Sequence, residues 1–215
     1  MLDSKGSVYG TTYYGGNNVK GECQGGTAGT GCGIVFELTP ATQKGGKRTK
    51  KVLHQFDGHN GSNSSAGVVF DGNGNLYGTT TGGPGPYGLV FELEKPHGSV
   101  HSWTEKVLHA FSDGNDGANP MAGLIFDASG RLYGTAYRGS GGSQYGDIFR
   151  LNTPSVRKGW SFSILYGFHT TSGPGQPMAG LVWDRVGNLY GTSQYGGTGT
   201  GCGFGACGTV FEVSP

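Results

Sequence analysis

Short apolar runs recur along the chain in groups of four, separated by polar, glycine-rich stretches. The most regular run carries Tyr9-Gly10-Thr11 and returns around Tyr77, Tyr133 and Tyr190, at intervals of about 56 to 68 residues. A second series ends in Phe36, Phe91, Phe149 and Phe211, each followed by Glu or Arg and then Leu or Val. A third reads Val-Leu-His54-Gln-Phe, Val-Leu-His109-Ala-Phe and Ile-Leu-Tyr166-Gly-Phe. The fourth precedes the Tyr-Gly-Thr run and ends in Phe70, Phe126 and Trp183, with only Leu2-Asp3 left of it at the amino end. No window carries apolar residues at helical spacing without Gly or Pro breaking it, so the pattern predicts strands throughout. Runs such as Val68-Val69-Phe70 and Leu124-Ile125-Phe126 are apolar at every position, as expected of sheets covered on both faces.

Four short strands per repeat is the arithmetic of a propeller blade. The fold expected is therefore all-β, a β-propeller of about four four-stranded blades forming one domain, with repeats near 1–56, 57–111, 112–168 and 169–215. We label the strands of a blade A (Phe-Asp), B (Tyr-Gly-Thr), C (Val-Phe-Glu) and D (Val-Leu-x-x-Phe). On this phase the last copy lacks its outer strand D. The expectation is a ring closed by four blades, half of an eight-bladed ring completed by a second copy, or part of a longer chain. Each A–B turn has the form Asp-x-x-Gly, at Asp3, Asp71, Asp127 and Asp184. Aspartate accepts backbone N–H bonds there and glycine takes the positive φ, so these acids are expected to form turns rather than a catalytic ring.

Composition changes this picture in two respects. The 46 glycines and 9 prolines among 215 residues would suggest disorder without a period, but here they fall in the turns. A net charge of +1 and a charged share of 13% give no sign of a nucleic-acid partner. The five basic residues from Lys44 to Lys51 are expected to be a solvated loop. No apolar stretch is long enough to span a membrane, and no signal peptide is visible. The four cysteines form two close pairs, Cys23 with Cys32 and Cys202 with Cys207, at matching places in the first and last copies. Disulfides closing short loops are expected, which implies an oxidising compartment. A four-cysteine zinc site is disfavoured because the spacings are not Cys-x-x-Cys.

The order Ala-Gly-Leu-x-x-Asp-x-x-Gly-Asn-Leu-Tyr-Gly-Thr, a Gly-Gly-rich loop, Gly-x-Val-Phe-Glu-Leu and Val-Leu-x-x-Phe resembles the Gloeo/Verruco tandem repeat of secreted and surface-anchored bacterial proteins. The resemblance spans essentially the whole chain. It implies a propeller-like protein at the cell surface, outside the cell or in the periplasm, and supplies no catalytic residues. The segment Asp-x-x-Gly-Asn-Leu-Tyr is more distantly similar to NHL propeller repeats, which implies that strand A is innermost.

In such a blade the A–B and C–D loops share one face, and the B–C and D–A loops share the other. The copies differ most in the B–C and D–A loops. Candidate ligand-binding residues there are Tyr13, Tyr14, Asp57, Asn60, Asp113, Asp116, Tyr137, Arg138 and Tyr195: aromatic faces for stacking beside short polar groups. The expected function is a non-catalytic, extracellular or cell-surface binding or scaffold module that takes a glycan or a protein. The alternative is a polysaccharide-degrading hydrolase or lyase on the same scaffold. The absence of a Gly-x-Ser-x-Gly, His-Glu-x-x-His or phosphate-loop motif favours the module. No metal or other cofactor is expected. Asp113, Asn115 and Asp116 have a spacing that suits calcium, but they lack the twelfth-position Glu and flanking helices of an EF-hand.

Overall fold

A computed structural model describes residues 1–17, 23, 31–112, 114–154, 159–169, 174–197 and 207–215. Fourteen strands are described: β1 (Val8–Thr11), β2 (Ile34–Thr39), β3 (Thr49–Gln55), β4 (Val69–Phe70), β5 (Leu76–Thr80), β6 (Leu89–Glu94), β7 (Thr104–Ala110), β8 (Ile125–Phe126), β9 (Leu132–Ala136), β10 (Asp147–Asn152), β11 (Ser161–Gly167), β12 (Val182–Trp183), β13 (Leu189–Ser193) and β14 (Thr209–Val213). They form four antiparallel sheets in chain order. Sheet 1 is β1-β2-β3, sheet 2 is β4-β5-β6-β7, sheet 3 is β8-β9-β10-β11 and sheet 4 is β12-β13-β14. A single bridge, Leu2↔Val8, stands where strand A of sheet 1 would lie. The all-β expectation holds, and each sheet is one copy of the repeat.

Pairing repeats with the sequence. Tyr9 lies opposite Glu37, Tyr77 opposite Glu92 and Tyr190 opposite Glu212, while Tyr133 faces Arg150. Each Gly of the Tyr-Gly-Thr strand lies opposite the Phe of strand C. A Cβ built on Gly78 would stand 2.6 Å from Phe91 Cζ, so the ring occupies the space a side chain would need. Three C–D pairs carry a bulge at one equivalent step: Val35/Phe36, Val90/Phe91 and Ile148/Phe149.

The core lies between neighbouring sheets. One cluster joins Val35 and Phe56 of sheet 1 to Val68 and Phe91 of sheet 2. A second joins Val90 and Phe111 to Leu124 and Phe149, and a third joins Ile148 and Phe168 to Leu181 and Phe211. The Phe that ends each D segment packs edge-on against the strand-C Phe of the next sheet, with centroids 5.1 to 5.4 Å apart. The series of sheets is not closed. All five residues of β5 and of β9 are buried, whereas β1 and β13 are only partly covered.

Candidate functional site

Each A–B turn is built around its aspartate. Asp71 Oδ1 accepts the N–H groups of Asn73 and Asn75 at 2.9 and 2.8 Å. Asp3, Asp127 and Asp184 do the same two and four residues on. The second oxygen reaches the tyrosine of strand B: Tyr133 donates to Asp127 at 3.1 Å and Tyr77 to Asp71 at 3.3 Å. The Tyr77 hydroxyl makes its shorter bond to Glu92, at 2.7 Å. Burial first and then the facing carboxylates push Tyr9 up to about 12 and raise Tyr77 and Tyr133, whereas for Tyr190 the hydrogen bond to Glu212 comes first and burial second. Burial alone would raise the Asp127 carboxyl, but bonds from the Arg131 N–H and guanidinium and the Ser129 N–H outweigh it and lower it. The aspartates are thus committed to turns and to the tyrosines.

Hollows open between sheets on this turn face. Two adjoining ones, about 490 and 550 Å³, lie between sheets 2 and 3 and share Asp71, Asn73, Tyr77, Pro154 and Trp160. Phe70 and Phe126 line one of them, and the Glu94–Lys106 ion pair lines the other. Trp160, just before β11, packs edge-on against Tyr77 of the preceding sheet, with centroids 5.9 Å apart. A third hollow of about 390 Å³ repeats the place between sheets 3 and 4, lined by Phe126, Tyr133, Trp183, Asp184 and Pro215. There the Trp183 indole N–H donates to Phe126 O at 2.9 Å. These volumes suit a small ligand or one or two sugar rings, and flat aromatic walls with a polar rim suit stacking.

The opposite face gathers the B–C and D–A loops, as isolated bridges Ser62↔Gly82, Ala118↔Arg138 and Gly175↔Tyr195 show. Most polar groups predicted there as ligand contacts serve the loops themselves. Asp57 Oδ1 accepts the N–H groups of His59 and Asn60, and Asn60 Oδ1 takes the Asp57 N–H. Asp116 accepts from the Ser112 hydroxyl at 2.7 Å and meets His109 Nε2 at 3.0 Å. His109 is stacked on Phe162 at 3.8 Å, and burial lowers its pKa despite Asp116. Tyr137 and Tyr195 contribute backbone bonds to Asn119 O and Gly175. Arg138 and Asn115 are exposed. Tyr13 and Tyr14 meet edge-on at 4.7 Å and are both open to solvent. Asp113 lies outside the described residues, and no group of three or more metal-ligating side chains occurs among the described ones. Cys23 and Cys32 are joined. Cys207 is also disulfide-bonded, while Cys202 lies outside the described residues.

Two features of this face have roles that the sequence alone did not assign. Among the described residues, Asn63, Asn119 and Gln176 are the non-glycine residues with positive φ, at 58°, 54° and 54°. Each backbone N–H donates to a carbonyl of the sheet before it: Cys32 at 2.8 Å, Tyr87 at 2.7 Å and Tyr145 at 2.5 Å. The side-chain amides reach further carbonyls of that sheet or its loops, at Tyr13, at Thr81 and Pro86, and at Gln144. The available signal was Asn or Gln three residues before each Ala-Gly. The accepting residue always precedes a glycine of positive φ, and a Cβ on Gly88 would lie 2.3 Å from Thr80 O. The second feature is Asp147, fully buried where the other copies hold Ile34, Leu89 and Thr209. Its Oδ2 accepts the Ser140 N–H while Oδ1 has no partner, and burial raises its pKa.

Against known proteins, the model of the Gloeobacter/Verrucomicrobia repeat matches residues 1–215. No curated protein matches the chain.

Proposed function

The chain belongs to the Gloeobacter/Verrucomicrobia repeat family, and on that premise we propose that it is a non-catalytic glycan-binding module, its sheets the blades of a propeller arc. The cleft beside Trp160 carries the reading. It offers an indole, a phenol ring and a proline next to Asp71 and Asn73, which suits a sugar's apolar face and its hydroxyls. The acids around it are engaged by turn N–H groups and tyrosine hydroxyls, which favours binding over bond cleavage. We place the site on the turn face and not in the variable loops, because the loop-face polar groups are taken up by bonds within the loops and between sheets. An extracellular or periplasmic location agrees with the Cys23–Cys32 disulfide, and no helix among the described residues is long and apolar enough to cross a membrane.

The test is a glycan array followed by titration of the best ligand against Trp160→Ala and Trp160→Phe. The expected result is at least tenfold weaker binding for the alanine variant and partial retention for phenylalanine. Full binding by Trp160→Ala, with loss on Tyr13→Ala/Tyr14→Ala, would return the site to the loop face. Release of shortened sugar from the same polysaccharides would replace the module by a hydrolase or lyase.

A further inference from the structure

The chain has three tryptophans, Trp103, Trp160 and Trp183, and each stands at a different junction between neighbouring sheets. At each junction the strand-B tyrosine of one sheet meets, edge-on, the strand-A aromatic of the next. The pairs are Tyr9 with Phe70 at 4.9 Å, Tyr77 with Phe126 at 5.1 Å and Tyr133 with Trp183 at 5.0 Å. The first two pairs receive an indole from the position just before strand D. Trp103 precedes β7 and packs against the cluster of Tyr9 and Phe70, while Trp160 precedes β11 and packs against that of Tyr77 and Phe126. At the third junction the strand-A aromatic is itself the indole.

Packing between sheets does not account for this recurrence. The same junctions are already closed by the edge-on phenylalanine pairs of strands D and C, Phe56–Phe91, Phe111–Phe149 and Phe168–Phe211. The three indoles are only partly buried, and the hollows on the turn face open beside Trp160 and Trp183. Charged side chains near those two are paired with each other, Glu94 with Lys106 and Asp127 with Arg131, which leaves stacking and hydroxyl bonding as the contacts on offer.

We infer that the ligand of the turn face is a linear polysaccharide lying across successive junctions, with one indole beneath it at each. This rests on the glycan-binding reading and extends it from one cleft to three stations. Sheets packed face to face lie about 10 Å apart, so a short run of linked sugar rings spans neighbouring stations. A chain held at one station meets the next at high effective concentration, which adds affinity without a tighter contact at any one of them. A single sugar or a chain end would engage one junction only.

The probes are soluble xylan, mannan, mixed-linkage glucan and alginate, each as short and long fragments, titrated into the whole chain. Three tryptophans give three indole N–H resonances, one per junction, so heteronuclear NMR reads each station separately. A long fragment should shift all three signals with one common midpoint and bind at least tenfold tighter than its short counterpart. Trp103→Ala should weaken the long fragment at least threefold and leave short-fragment binding at Trp160 within twofold, the unchanged Trp160 and Trp183 signals of the free variant showing that the fold persists. A long fragment that shifts the Trp160 signal alone, and binds no tighter than the short one, would overturn the inference and leave the glycan module standing. No indole shift with any of the four polymers would overturn both.

Discussion

Sheets 2 and 3 and sheets 1 and 4 are written in nearly the same residues, yet they live in different environments. Leu76–Thr80 and Leu132–Ala136 are buried at every position, while Val8–Thr11 and Leu189–Ser193 are not. Val90 and Ile148 have no exposed surface, and Val210, the same position one or two copies on, is largely open. The repeat therefore specifies a strand and a register but not its burial, which comes from the sheets on either side. The Cys32 and Cys207 disulfides fall in the outer sheets, where the inner ones have Tyr87 and Tyr145. The Cys23–Cys32 crosslink closes a loop with a sequence separation of 9 and constrains the unfolded chain.

The contrast is sharpest at equivalent core positions. Ile148→Ala should cost about 2–5 kcal/mol, whereas Val210→Ala should stay within about 0.5 kcal/mol, as measured by urea unfolding. Similar costs at both would mean that sheet 4 is covered in solution. The ties between sheets come next. Asn119→Ala should cost about 2 kcal/mol, combining strain at positive φ with two lost carbonyl bonds, and Asn119→Gly should recover the strain part. If glycine were no better than alanine, the backbone angle would not be the determinant.

The smallest expected effect concerns Asp147, which stands where the other copies hold Ile34, Leu89 and Thr209. Its folded pKa lies above the unfolded value of about 3.9, so the native state keeps the proton longer. Stability is then lost as pH rises from about 4 through the folded pKa, since the unfolded chain ionises more readily across that window. Asp147→Asn should stabilise the protein by about 1 kcal/mol at neutral pH, and the gain should vanish below about pH 4. A gain independent of pH would show that folding does not raise this carboxyl's pKa.

Much of the fold was legible because its determinants are local. Alternation of glycine-rich turns with short apolar runs located the strands, and Asp-x-x-Gly located four turns whose hydrogen bonds are made within five residues. The candidate site was less legible. Trp160 stands over Tyr77, which belongs to the copy before it, and a repeat aligned to itself carries no record of what its neighbour covers. The loop residues looked like ligand contacts for a related reason. Asp57, Asn60 and Asp116 sit in polar, variable stretches, but the N–H groups they accept are backbone atoms of the same loop, which leave no residue type to recognise. Glu92 was visible as a recurrent acid, and only the register β5–β6 explains it as the acceptor of a tyrosine hydroxyl.

The three Asn/Gln ties also bear on how such a chain changes its length over time. Each joins one sheet only to its immediate predecessor, through backbone atoms that every copy possesses. A duplication or deletion of one whole repeat brings an Asn or Gln of this kind against a carbonyl before a positive-φ glycine at the new junction. A chain lengthened or shortened by one whole repeat is therefore expected to keep the rule that joins its sheets while their number changes.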